Sequence, residues 1–157
     1  MTIRRTIFGA LIALFVGVGF FASGGMNLIY AAITEETFGD SFDVQTAYRL
    51  AQDGEIHLID IRRPDEWKKT GSGEGATRLD MRRDDFVDEL IALTGGDRSQ
   101  PVALICARGV RSARMTNRLT AAGFTNIIDV PEGMLGSKAG PGWLKSNLPL
   151  NKTEPQD

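Results

Sequence analysis

Three short apolar runs, each followed or preceded by a segment of helical pattern, limit this chain more than any other feature. Residues 56–61, 101–105 and 126–130 read IHLIDI, PVALI and NIIDV. They have the length and β-branched content of strands buried on both faces. Residues 42–53 place Val44, Ala47, Tyr48, Leu50 and Ala51 at helical spacing, and Gly54 stops them. Pro64 opens a first helical turn whose N-terminus suits Asp65 and Glu66. Residues 69–75 form a glycine-rich loop. Residues 84–93 put Phe86, Leu90 and Leu93 on one helical face, ended by Gly95 and Gly96. Residues 111–122 turn Ala113, Leu119 and Ala122 inward, with Gly123 as their stop. Residues 134–148 are broken by glycine and proline, with a short helix expected near 143–146. Strands alternating with helices at this spacing predict an α/β domain: a mostly parallel sheet with helices on both faces. No internal repeat is visible.

The first thirty residues are a separate object. Arg4 and Arg5 are the only charges before Glu35, and behind them residues 7–21, IFGALIALFVGVGFF, contain nothing polar. A basic start and an apolar stretch of this length are the layout of an export signal. Small residues at Ala22-Ser23-Gly24, and less completely at Tyr30-Ala31-Ala32, offer cleavage positions. If uncleaved, residues 7–30 as a helix would span ~36 Å, enough to anchor the chain in a bilayer. A buried N-terminal core helix is the third reading. It is disfavoured because the stretch is apolar all round. Signal or anchor thus occupies residues 1–32, and either places the rest of the chain outside the cytoplasm, in the periplasm or its equivalent. Residues 33–41 read as a linker, 42–150 as the domain and 151–157 as a polar tail.

Composition narrows what the domain can do. With 42% hydrophobic and 24% charged residues the chain is globular, neither disordered throughout nor polytopic. A net charge of −2 argues against a broad nucleic-acid-binding face. Arg4 and Arg5 are two of 18 basic residues against 20 acidic ones, so the remainder carries about −4. A single cysteine excludes an intrachain disulfide and any zinc site of several thiolates, and a single histidine excludes a multi-histidine centre. No metal and no cofactor are expected.

That cysteine sits where ligands collect in parallel sheets, between a strand's carboxyl end and the next helix. PVALI runs directly into Cys106-Ala107-Arg108-Gly109-Val110-Arg111, then Ser112 and a helix. A tight loop around a sulfur turns its N–H groups inward as an anion nest, and the helix start adds partial positive charge. Gly109 allows positive φ, and Arg108 and Arg111 add two permanent cations. Free cysteines are commonly buried and inert. This loop instead favours a thiolate and an oxyanion beside it. His57, the only histidine, lies at the start of a strand run and offers no dyad partner, which argues against cysteine-protease chemistry. A preformed thiolate needs a leaving group that requires no proton. Sulfane-sulfur transfer meets this condition: the thiolate takes the outer sulfur of thiosulfate, sulfite departs, and an acceptor such as cyanide or a thiol strips the resulting persulfide.

CARGVRS at residues 106–112 resembles the active-site loop of rhodanese-family sulfurtransferases. LIDIRRPDEW at residues 58–67 is similar to the family's first signature, and GFTNIIDVPEGMLGSKAGPGW at 123–143 to its segment after the active-site helix. The resemblance covers roughly residues 42–150. It implies a five-stranded, mostly parallel sheet with helices on both sides. It also implies a persulfide on Cys106, with the amides of Ala107, Arg108, Gly109, Val110, Arg111 and Ser112 around the sulfur. Arg111 would steady the loop or substrate, and Asp60 and Arg62 would support the site. The implied partners are a small anionic sulfur donor such as thiosulfate and a thiol or cyanide acceptor. A membrane is a further partner through residues 7–30 if they stay attached.

The sequence departs from the family in two places. A Gly-His-Ile-Pro-Gly-Ala stretch is here Gly71-Ser72-Gly73-Glu74-Gly75-Ala76, and the acidic residue after the Asp-x-Arg pattern is Arg63. Both bear on the pocket wall. Phosphatases of this fold have five residues between cysteine and arginine. Here there are four, a ring suited to one sulfur and cramped for a phosphate ester. The remaining alternative is a non-catalytic or partner-specific sulfur carrier or docking module. Trp143 is expected to pack the domain rather than line its mouth.

Overall fold

In a computed structural model, residues 40–152 are described. Their helices are α1 (Val44–Gln52), α2 (Pro64–Thr70), α3 (Phe86–Leu93), α4 (Val110–Ala121) and α5 (Gly142–Lys145). The strands are β1 (His57–Asp60), β2 (Ser72–Gly73), β3 (Thr77–Arg78), β4 (Val102–Ile105), β5 (Ile127–Val130) and β6 (Leu150–Asn151). The central sheet runs β3-β1-β4-β5, every pair parallel, so each step between neighbours is a crossover that carries the chain over a face.

The sheet has four strands where five were expected. At the outer edge of β5 the chain makes one bridge, Ser41 beside Asp129. Phe42 N–H donates to the Asp129 carbonyl and Asp129 N–H to the Asp40 carbonyl, each at 3.0 Å. The Asp43 carboxylate then accepts from Thr46 N–H at 2.7 Å, capping α1 and ending the extended run after a single bridge. Residues 40 and 41, expected as linker, thus complete the sheet edge. Asn151, expected in the tail, pairs with Ser72 in the small antiparallel β2–β6 ladder. The expected signal or anchor of residues 1–32 lies outside the described residues. Among those described, no helix is long and apolar enough to cross a membrane.

Alternation along the strands sorts the core into two layers. Val102, Leu104 and Cys106 face Phe86 and Leu90 of α3 and Met115 and Leu119 of α4. Ala103 and Ile105 face the opposite layer, with Val44 and Ala47 of α1 and Trp143 of α5. Trp143 is fully buried, stacks edge-on against Tyr48 at 5.7 Å and lies on Gly73, and its Nε1–H donates to the Pro149 carbonyl at 2.9 Å. It packs the domain, as expected. Because all four strands are parallel, β1, β3 and β4 end on one side, and the site lies there.

Candidate active site

Register fixes what meets at that end. Asp60 of β1 pairs with Ile105 of β4, and Ile61 N–H donates to the Ile105 carbonyl at 3.0 Å, so the next residue of each chain stands beside Cys106. Cys106 is 1% exposed, and its sulfur accepts from Gly109 N–H at 3.2 Å. Gly109 has φ 86°. A side chain there would also collide with the Pro131 carbonyl, so both the backbone angle and the space demand glycine. The first helical bond of α4 runs from Ala113 N–H to the Gly109 carbonyl at 3.0 Å. The amides of Val110, Arg111 and Ser112 therefore precede any intrahelical partner, leaving donors at the helix start beside the loop. The Ser112 hydroxyl, fully buried, donates back to the Gly109 carbonyl at 2.9 Å.

A second turn clasps the loop from outside. Met134 N–H donates to the Cys106 carbonyl at 2.8 Å and Leu135 N–H to the Ala107 carbonyl at 2.9 Å. The turn comes this close because Gly133 (φ 67°) has no Cβ; one would lie 2.6 Å from the Ala107 carbonyl oxygen. Arg108 is drawn to the same turn, Nη1 donating to the Gly136 carbonyl at 3.3 Å. It is a rim residue held to one side, and Val110 at the loop's crown is 49% exposed.

Arg111 is placed differently. Its Nη1 and Nη2 donate to the Glu66 carboxylate at 2.8 and 2.7 Å, a bidentate pair, and its guanidinium lies within electrostatic reach of the Cys106 sulfur. Glu66 accepts in addition from Arg63 N–H and Nε–H, both at 3.2 Å. These donors, Arg111 foremost, hold the Glu66 carboxyl down at about 2, and the same bond raises the pKa of Arg111. A permanent cation is thereby fixed beside the sulfur. The sequence offered no signal for this pairing, since Glu66 reads locally only as a favourable charge at a helix start, and 45 residues separate the partners.

Asp60 and Arg62 are buried together. Arg62 Nε–H and Nη2–H grip the Asp60 carboxylate at 2.9 and 2.7 Å. Nη1 and Nη2 also donate to Thr70 Oγ1 at 2.9 Å and the Gly71 carbonyl at 2.7 Å. The pair ties the end of β1 to the end of α2. His57 sits level with Val102, so four strand steps, roughly 13 Å, separate it from the cysteine. It plays no part at this end of the sheet.

One further carboxyl lies under the loop. Asp129 of β5 is 2% exposed with Oδ1 unpartnered. Burial pushes its carboxyl up to about 6. Among the described residues no cluster of His, Cys, Asp or Glu is arranged to hold a metal ion.

Comparison with known proteins follows this geometry. Residues 43–139 match the Rhodanese-like domain. Thiosulfate sulfurtransferase 18 of Arabidopsis thaliana is 26% identical over 125 residues, covering 73% of this chain and 85% of that protein. Thiosulfate sulfurtransferase GlpE of Vibrio cholerae serotype O1 is 23% identical over 108 residues, covering 69% of this chain and 91% of its own. Among solved structures, the polysulfide-sulfur transferase homodimer from Wolinella succinogenes superposes with a TM-score of 0.60 at 26% identity, over 80% of this chain and 88% of that one.

Proposed function

This chain belongs to the rhodanese-like domain family, and on that premise we propose that it moves sulfane sulfur through a persulfide on Cys106. The observation that carries the reading is the Cys106 sulfur at the carboxyl end of β4, bonded by the Gly109 amide at 3.2 Å, with Arg111 within electrostatic reach. In the proposed reaction the Cys106 thiolate attacks the outer sulfur of thiosulfate. A cysteine S–S bond forms, the donor's S–S bond breaks, and sulfite leaves with the bonding pair. Negative charge stays at the loop through the step, where the Gly109 amide already donates to the sulfur and the start of α4 lies alongside. Cyanide or a thiolate then takes the outer sulfur and returns the thiolate. No proton has to be placed on a leaving group, which agrees with a site that has no histidine.

Thiosulfate:cyanide transfer, with Cys106→Ser beside it, tests the reading. Equal activity in both proteins would sink it. Incubation with thiosulfate should add the mass of one sulfur to the protein and none to the serine variant. The apolar run of residues 7–21 is proposed to export the chain or anchor it to a membrane. Fractionation and the mature N-terminus decide that point: a cytoplasmic protein with an intact N-terminus would end it.

A further inference from the structure

Beside the cysteine loop lies an open groove of about 360 Å³ lined by Arg63, Glu66, Met81, Arg82 and Arg111. It shares Arg111 with the cysteine loop. Arg111 lies within electrostatic reach of the Cys106 sulfur, and Met81 packs against the core cluster that contains Cys106. Its backbone is built from the same strand ends, since Met81 N–H donates to the Ile61 carbonyl at 3.4 Å. The volume is at the lower end of small-molecule sites, roughly 300–1,000 Å³, and larger than one tetrahedral anion needs. The lining carries three guanidiniums and one carboxylate.

Two of those guanidiniums stand at the outer wall of the groove, although Arg63 also braces Glu66. Arg63 and Arg82 have side chains 47% and 60% exposed. Arg63 donates through Nε and Nη2 to Glu66 and Asp65, and Arg82 through Nε and Nη2 to Asp80. Nη1 of each makes no hydrogen bond among the described residues, and a guanidinium has five donors in all. Their carboxylate contacts brace them at the wall and leave donors for a further anion.

We propose that this groove seats a small organic thiol bearing carboxylates, the sulfur acceptor, and that Arg63 and Arg82 select it by pairing with those carboxylates. The assignment rests on the persulfide reading above. The acceptor thiol gives its proton to solvent, and its thiolate attacks the outer sulfur on Cys106. A new S–S bond forms on the acceptor, the S–S bond to Cys106 breaks, and the cysteine leaves as thiolate with the electron pair. No oxidant or reductant is consumed. Cyanide fills none of the groove, and a neutral thiol finds no partner for the two arginines.

The test uses mercaptosuccinate and 2-mercaptoethanol as acceptors from thiosulfate-loaded protein, at low ionic strength. The readout is the ratio of their kcat/KM values, which cancels any change in loading. In Arg63→Gln and in Arg82→Gln this ratio should fall about tenfold, carried by KM for mercaptosuccinate, as loss of one charge-assisted contact implies. Arg63→Lys should restore part of it and guards against a mere disturbance of the α2 start. A fall of less than fivefold in both glutamine variants overturns the assignment. Mass analysis separates this from failure of the underlying reading: if wild-type protein gains no sulfur from thiosulfate, the persulfide reading fails; if it gains sulfur and the ratios do not move, only the acceptor groove fails.

Discussion

Two arginine–carboxylate pairs stand at the same end of the sheet, and they differ in almost everything except geometry. Asp60–Arg62 is two residues apart in sequence and no more than 1% exposed on either side chain. Glu66–Arg111 joins residues 45 apart, with side chains 17% and 30% exposed. Both are bidentate. In the first, the leftover donors of Arg62 go to Thr70 and Gly71, so its charge is consumed by architecture. In the second, Arg111 is partly exposed and its charge stays within electrostatic reach of the sulfur. Depth decides the role: a guanidinium out of water must be fully satisfied by protein, whereas one at the rim can share its charge with a substrate.

The largest effect comes from breaking the deep pair. Arg62→Ala leaves the Asp60 carboxylate buried and unpaired and frees the end of α2, which should cost about 3–5 kcal/mol. Urea unfolding of the purified protein reads it directly. A loss under about 1 kcal/mol would mean the pair is not the clamp its burial indicates.

Asp129 sharpens the comparison because it is buried like Asp60 and has no guanidinium. Its carboxyl, near 6 in the fold and near 3.8 when exposed, prefers to stay protonated inside. The folded state therefore binds more protons than the unfolded state between those values. Stability falls as pH rises through that window, and the deficit persists at neutral pH. Asp129→Asn should stabilise the protein at pH 7 by about 1–3 kcal/mol and flatten its stability profile between about pH 4 and 6. Thermal melts across that range check it. An unchanged profile would refute a neutral buried carboxyl.

These contrasts also mark what was legible in the sequence. The strands at 56–61, 101–105 and 126–130, the helix after Cys106 and its loop were visible, because each is set by local pattern and by one glycine whose φ is fixed by the turn. The count of strands was not: the edge beside β5 shrank to Ser41 because Asp43 caps α1 immediately after it. Nor could local pattern reveal that Arg108 is pulled to the Gly136 carbonyl while Arg111 meets Glu66. Those outcomes depend on how the turn at 133–136 and the start of α2 approach the loop, which only tertiary packing sets. Nothing local marks Asp129 as buried, and its burial is likewise a fact of packing.

The smallest stability effect, and the most informative about the site, belongs to the rim pair. Glu66 is held at about 2 in the fold, below its ordinary value of 4.5. Its pairing thus contributes above that ordinary value and is lost as pH falls from there toward 2. Because the pair is partly in water, Glu66→Gln should cost about 1 kcal/mol or less at pH 7. Arg111 keeps its charge in that variant but loses its bidentate support, so turnover should fall further than stability does, about tenfold, as expected when a charge near the reacting atom is misplaced by a fraction of an ångström. Arg111→Lys should behave similarly, since an ammonium keeps the charge and cannot hold both carboxylate oxygens in one plane. Sulfur transfer rates measured beside melting curves separate the two quantities. If activity and stability decline in proportion, the rim pair is only a weaker copy of Asp60–Arg62, and the distinction between clamp and charge collapses.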